Sequence, residues 1–214
     1  MVTASIYPSS FEEIQGLALH RLLTAEDLAS FPDDGDRYEI IGGKLIVSPS
    51  PTYRHQRVSM KLGTALDSYL SDRPTGVVIA APMDVYLSRN DVVQPDLLVV
   101  LDERSEIIEE RGIMGAPDLV IEILSPSSMV HDFLRKTQLY ERYGVREYWI
   151  VNPESEIVSV QVLDGDRYVV TGEYGREDTV PSAVLDGFEL PLSVLFPERS
   201  EEPTKEGSQP ANDE

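Results

Sequence analysis

Apolar residues recur along this chain with two periods, about two in some stretches and about three and a half in others, and the elements follow from where one gives way to the other. "RYEIIGGKLIVS" reads as a β-hairpin, with two β-rich arms around Gly42-Gly43, a pair suited to the positive φ of a tight turn. If Ile41 pairs with Lys44, then Tyr38, Ile40, Leu45 and Val47 share one face, and Glu39, Ile41, Lys44 and Ile46 share the other. Ahead of it, "TAEDLASF" predicts a short helix with Thr24 as its N-cap. Behind it, Val58, Leu62, Ala65, Leu66 and Tyr69 fall at helical spacing and predict a helix over 53–72. Strands are expected around "GVVIA" and "MDVYL". "VVQPDLLVVL" and "APDLVIEILS" are nearly unbroken apolar runs, as in strands covered on both faces, with Pro95 marking an irregular point in the first. "SSMVHDFLRKTQLYERYG" predicts an amphipathic helix capped by Ser127 or Ser128 and ended by Gly144. "EYWIVN" is a third apolar strand, "EIVSVQVL" and "RYVVTGE" pair around "DGD", and "VLDGFELPLSVLF" closes the domain. Buried strands joined by a crossover helix predict an α/β fold, a mixed sheet flanked by helices with added hairpins.

Three charges break this pattern. Glu122 sits inside "LVIEIL", where an ionised carboxylate without a partner is expensive to bury. Met129, Phe133, Lys136, Tyr140 and Tyr143 form one helical stripe with spacings of 4, 3, 4 and 3, which turns Lys136 toward the buried side. A lysine facing inward needs a carboxylate. Glu122 on the preceding strand is one, and Asp132, one turn earlier on the same helix, is another, while snorkelling to solvent is the third option. Asp96 likewise stands between apolar arms. If its strand neighbours that of Glu122, the two carboxylates start about 4.8 Å apart in backbone spacing. Such a pair repels unless a proton or a cation lies between them, and Mg²⁺, which prefers oxygen ligands, suits the place. Asp96 read alone is equally an acid capping a strand end.

Composition limits what these residues can be doing. The 214-residue chain is long enough for one sizeable core, and its hydrophobic content of 41% with a mean hydropathy of -0.20 is that of an ordinary globular protein. It has no cysteine, which removes disulfides, thiolate metal sites and cysteine nucleophiles. No apolar run approaches the roughly 18 residues of a membrane span, and "MVTASIYPSSFEEIQG" lacks the basic and apolar regions of a secretory leader, so a cytoplasmic protein without a membrane partner is expected. The net charge of -20 opposes general attraction to a phosphate backbone. Part of that excess lies in "ERSEEPTKEGSQPANDE", with six acids against two bases. The expected organisation is an extension over 1–20, one domain over 21–197 and a disordered acidic tail over 198–214.

"QPD" at 94–96, "VIEILSPSS" at 120–128 and "DFLRKTQLYERYGVREYWIVNP" at 132–153, together with "DRYEIIGGKLIVSPSP" and "RHQRV", resemble in order and spacing the Uma-two family of restriction endonucleases, part of the PD-(D/E)XK nuclease superfamily. The resemblance spans roughly residues 24 to 197. It implies a restriction endonuclease-like αβββαβ core in which Asp96 and Glu122 hold a divalent metal, Mg²⁺ or Mn²⁺. Leu124 stands where the superfamily motif has its lysine, and in this family's pattern the lysine is displaced onto the next helix, at Lys136. Glu39 matches the family's amino-terminal acid, which supports the metal or its water, and Asn152 replaces a usual aspartate after the site.

The activity so implied is Mg²⁺-dependent endonucleolytic hydrolysis of phosphodiester bonds, with DNA as the partner and a homodimer as the assembly for cutting two strands. Alanine at Asp96, Glu122 or Lys136 is expected to abolish cleavage with little change in melting temperature. His55 matches a family histidine that touches substrate or orients the site, and it reads equally as a hydrogen-bonding residue at a helix start. Arg54, Arg57 and Lys61 fall near one helix face, and Arg135, Arg142 and Arg146 could flank the site; these are the candidates for a phosphate patch, or an ordinary solvated surface. "HD" at 131–132 belongs to helix capping, and Tyr148 and Trp149 belong to the core. Two other functions fit the same residues: a catalytically silent binding or regulatory module, and a metal-dependent hydrolase of a smaller phosphodiester.

Overall fold

The computed structural model describes residues 21–28, 30–31, 35–48, 50–125 and 130–196, with side chains in its last helix described from 133 onward. The expected extension over 1–20, the acidic tail, the Ser127 or Ser128 cap, Met129 and the side chains of His131 and Asp132 lie outside the described residues.

The chain builds two six-stranded sheets. The first runs β12-β11-β10-β9-β6-β3, from β3 (Gly76–Ala80), β6 (Leu97–Leu101), β9 (Leu119–Ile123), β10 (Glu147–Asn152), β11 (Ile157–Asp164) and β12 (Arg167–Gly175). Only β9 and β10 are parallel, and the helix α3 (Val130–Tyr143) makes the crossover between them. Taken in order, α2 (Tyr53–Asp72), β3, β6, β9, α3 and β10 give the αβββαβ succession, while α1 (Ala25–Leu28) is a single turn before it.

The apolar runs are continuous because both faces of this sheet are covered. Leu97, Val99, Leu119, Ile121 and Val151 pack with Val58, Leu62 and Leu66 of α2, along with Trp149. Leu98, Val100, Val120, Tyr148 and Ile150 pack on the opposite face with Leu139 and Tyr140 of α3 and with Val85, Val93 and Ile113. The last three belong to the second sheet, ordered β2-β1-β5-β4-β8-β7: β1 (Arg37–Ile41), β2 (Lys44–Ser48), β4 (Val85–Ser88), β5 (Asp91–Val93), β7 (Ile108–Glu109) and β8 (Gly112–Ile113). The hairpins expected as additions therefore assemble with the amino-terminal hairpin into a sheet of their own. A short ribbon, β13 (Thr179–Pro181) with β14 (Glu189–Pro191), completes the structure.

Ile41 pairs with Lys44, and Gly42 and Gly43 take φ of 58° and 71°, the turn that the Gly-Gly pair predicts. The single strand expected over "VVQPDLLVVL" is instead two. β5 ends at Val93 in the second sheet, β6 begins at Leu97 in the first, and Gln94-Pro95-Asp96 carries the chain across. Proline has no N–H to give a ladder, so it sits where neither ladder needs one. Among the described residues no helix is long and apolar enough to cross a membrane.

Candidate active site

The crossing segment and β9 bring the first two acids together. β6 and β9 are antiparallel with Leu97 opposite Ile121, so one step further along this register Asp96 stands level with Glu122. Asp96 Oδ2 accepts the Ile123 N–H at 2.8 Å. Its other oxygen accepts from the Arg37 guanidinium at 2.9 Å, and His55 Nε2 lies 3.0 Å from Oδ2. An ionised carboxylate only accepts, so the Nε2 atom carries the proton and the buried Nδ1 atom is left without a partner. His55 reaches this position because Thr52 caps α2 by accepting the His55 N–H, which places the ring in the first turn of the helix.

Lys136 projects from α3 onto the face of the sheet that carries Glu122. Its Nζ atom is 2.9 Å from Glu122 Oε1 and 2.9 Å from Glu39 Oε1, so one ammonium serves an acid from each sheet. Tyr140, one helical turn on, donates to Glu122 Oε1 at 2.6 Å. Glu39 also accepts the Gln94 N–H at 2.7 Å. Arg37, Glu39, His55, Gln94, Asp96, Glu122 and Lys136 all line one pocket of about 130 Å³, walled on its apolar side by Ile41, Ile46 and Phe133.

Three carboxylates here outnumber the nearby ammonium, and the electrostatics follow. Burial pushes the Glu122 carboxyl up to about 7, against the pull of Lys136, and the charges on Asp96 and Glu39 add to the rise. Burial alone would lower the Lys136 ammonium, but Glu122 and Glu39 outweigh it and hold the pKa above the ordinary lysine value. Asp96 goes the other way. Burial opposes its charge, yet His55, Arg37 and the Ile123 N–H together keep it below the ordinary value. Burial, with Glu122 and Glu39 nearby, raises the Tyr140 hydroxyl well above a free phenol, so it stays a donor.

This donor set suits a hard divalent cation. Its oxygens are carboxylates plus one carboxamide: Gln94 Oε1 is buried without a hydrogen-bond partner, and its orientation is fixed because Nε2 donates to Asp84 at 2.8 Å. Asp96 and Glu122 would hold such an ion. Among the described residues no three His, Cys, Asp or Glu side chains are grouped as metal ligands; Lys136 lies between Glu39 and Glu122, and both Asp96 oxygens accept hydrogen bonds.

Of the residues singled out by sequence, Asp96, Glu122, Lys136, Glu39 and His55 meet at this pocket. Arg54 and Arg57 are not among its lining: Arg54 pairs with Glu154, and Arg57 donates to the Tyr53 hydroxyl. Lys61 donates to the Val194 carbonyl. Arg146 lies at the far end of β9, paired with Asp118. Sequence reasoning missed Arg37, Gln94 and Tyr140. Arg37 was within reach of the strand period, since it lies two residues before Glu39 on β1, and Tyr140 was counted in the helical stripe only as an aromatic ring. Asp96 also turns out to hold a backbone N–H, so Asp96→Asn, which keeps one acceptor oxygen, tests the acid more cleanly than alanine.

The profile of the Uma2 family, described as "Putative restriction endonuclease", matches residues 25–193. A crystal structure of "a putative nuclease belonging to DUF820 from Anabaena variabilis ATCC 29413" matches with a TM-score of 0.69, covering 81% of this chain and 97% of that one at 20% identity. At that identity the likeness speaks for the fold, which is restriction endonuclease-like. No curated protein matches the sequence. With the family profile running through both sheets and every residue of the pocket, the chain belongs to the Uma2 family.

Proposed function

We propose that this protein is a divalent-metal-dependent endonuclease that hydrolyses phosphodiester bonds in DNA. The observation that carries the reading is the convergence of Asp96, Glu122 and Lys136, from three separate elements, on one pocket. A divalent ion held by Asp96 and Glu122 would supply Lewis acidity toward the phosphoryl group and acidify a water. The chain's own residues do the rest. Glu39 anchors Lys136 from the opposite sheet, so the ammonium would stay in the pocket with Glu122 serving as a ligand. The Lys136 ammonium then orients the attacking water or meets the negative charge that grows on phosphorus oxygens in the transition state. Tyr140 fixes the Glu122 carboxylate by its hydrogen bond, and His55 fixes Asp96. Cutting both strands of a duplex calls for a two-fold pair of chains, which light scattering would register as a dimer.

The test pairs Mn²⁺ titration calorimetry with a cleavage screen on plasmid, single strands and small phosphodiesters. Wild type should bind Mn²⁺ saturably and nick plasmid. Asp96→Asn and Glu122→Gln should lose both properties, and Lys136→Met should keep binding while cleavage falls by about a hundredfold or more. Saturable binding without any cleavage would instead identify a silent binding module. Turnover confined to small phosphodiesters would move the substrate away from DNA.

A further inference from the structure

A protein of net charge -20 that handles a polyanion must present positive charge where the phosphate arrives. The basic side chains of the pocket are few. Lys136 is shared between two carboxylates, which leaves its charge more than matched. Arg37 is different. It is the other lysine or arginine among the lining residues, its side chain is 25% exposed, and one of its five N–H groups is committed, to Asp96 Oδ1. β1 holds it two residues from Glu39, so the strand that anchors Lys136 also presents Arg37 to the same pocket. Opposite it in the hairpin register stands Ser48, a small residue that also lines the pocket.

We propose that Arg37 is the phosphate-binding residue of this pocket, its guanidinium exchanging the Asp96 oxygen for a non-bridging oxygen of the bound phosphodiester. The inference rests on the nuclease reading above. A guanidinium offers paired, coplanar donors that match two phosphate oxygens, where an ammonium offers a point charge. The exchange is a change of partner without a change of place. A divalent ion held by Asp96 would share its charge and free Arg37, whose guanidinium is already at the pocket wall. Arg54, Arg57, Lys61, Arg135, Arg142 and Arg146, the cations that the sequence offered for this duty, do not line the pocket.

The experiment measures binding of a fluorescein-labelled duplex oligonucleotide by anisotropy, with Ca²⁺ in place of Mg²⁺ and over a series of salt concentrations, for wild type, Arg37→Gln and Arg37→Lys. Mn²⁺ titrations on the same proteins run in parallel. Arg37→Gln should weaken duplex binding about tenfold, and the slope of log affinity against log salt should fall by about one. Arg37→Lys should recover part of the affinity and the full slope. Mn²⁺ affinity of Arg37→Gln should equal or exceed that of wild type, because a competing cation has left Asp96. Duplex binding and slope unchanged in Arg37→Gln would overturn the inference while leaving the nuclease reading intact. So would a loss of Mn²⁺ affinity in parallel with duplex binding, which would make Arg37 a structural counter-ion. A wild type that binds Mn²⁺ but neither binds nor cuts any nucleic acid would instead bring down the nuclease reading, and Arg37's role with it.

Discussion

Of the chain's three Pro-Asp pairs, the structure sets two, Pro95-Asp96 and Pro117-Asp118, at opposite ends of the same two neighbouring strands. Their backbone roles are alike. Asp96, just before β6, accepts the N–H of Ile123 at the end of β9. Asp118, just before β9, accepts the N–H of Leu101 at the end of β6 at 2.9 Å. Each aspartate thus ties its own strand to the finish of the other. What differs is the company. Asp118 is fully buried and meets two arginines, with Arg104 at 3.2 Å and Arg146 at 3.1 Å, and Arg146 also pairs with Glu103, so charge is matched there. Asp96 sits with Glu122 and Glu39 beside an open pocket, so negative charge is in surplus. A buried acid whose charge is matched on every side is a staple, whereas one beside further carboxylates carries electrostatic strain that a proton or a cation would relieve.

The largest effect should come from breaking the staple. Asp118→Ala leaves the Leu101 N–H without its acceptor and takes one partner from each of two arginines, which should cost about 3 kcal/mol in a denaturant melt. Mn²⁺ binding per folded molecule should stay unchanged. Removing the cation at the other end should come next. Lys136→Met leaves Glu39 and Glu122 facing each other, and the variant should lose about 2 kcal/mol at pH 8. It should lose clearly less at pH 6, where one carboxyl takes a proton, and melts at the two pH values compare them.

Glu122→Gln sharpens the same contrast with the sign reversed. The folded Glu122 carboxyl is raised from an ordinary 4.5 to about 7, so the folded state binds the extra proton between those values. Its burial therefore costs nothing below the lower value, costs more as pH rises through the interval, and costs most above about 7. The glutamine variant has no such penalty. Its melting temperature relative to wild type should climb by a few degrees from pH 5 to pH 8 and then level off. The smallest effect belongs to Arg146→Ala. That side chain is 47% exposed and Arg104 still holds Asp118, so the loss should be under about 1 kcal/mol.

Legibility in the sequence followed signal length. The helix predicted over 53–72 is Tyr53–Asp72, because twenty residues of clean periodicity follow a threonine cap. The hairpin register was readable from Gly-Gly, and Lys136 from a stripe in which it was the one charge. The second sheet was not readable, because β5, β7 and β8 are two or three residues each and carry no period. The split in "VVQPDLLVVL" was signalled by proline, but the run gives no hint that its two halves belong to different sheets. Arg37 escaped notice because an arginine at the exposed end of a strand is ordinary until its neighbours in space are known. Tyr140 escaped because periodicity counts the ring and ignores the hydroxyl, which is the part that touches Glu122.

The passage of the chain from one sheet to the other at residues 94–96 makes the candidate site a seam. Glu39 is rooted in one layer and Glu122 in the other, a single lysine bridges them, and Asp96 stands on the crossing segment itself. A molecule that has assembled just one layer holds only part of this cluster, so the Lys136 bridge should break whenever the layers slip, before either has melted.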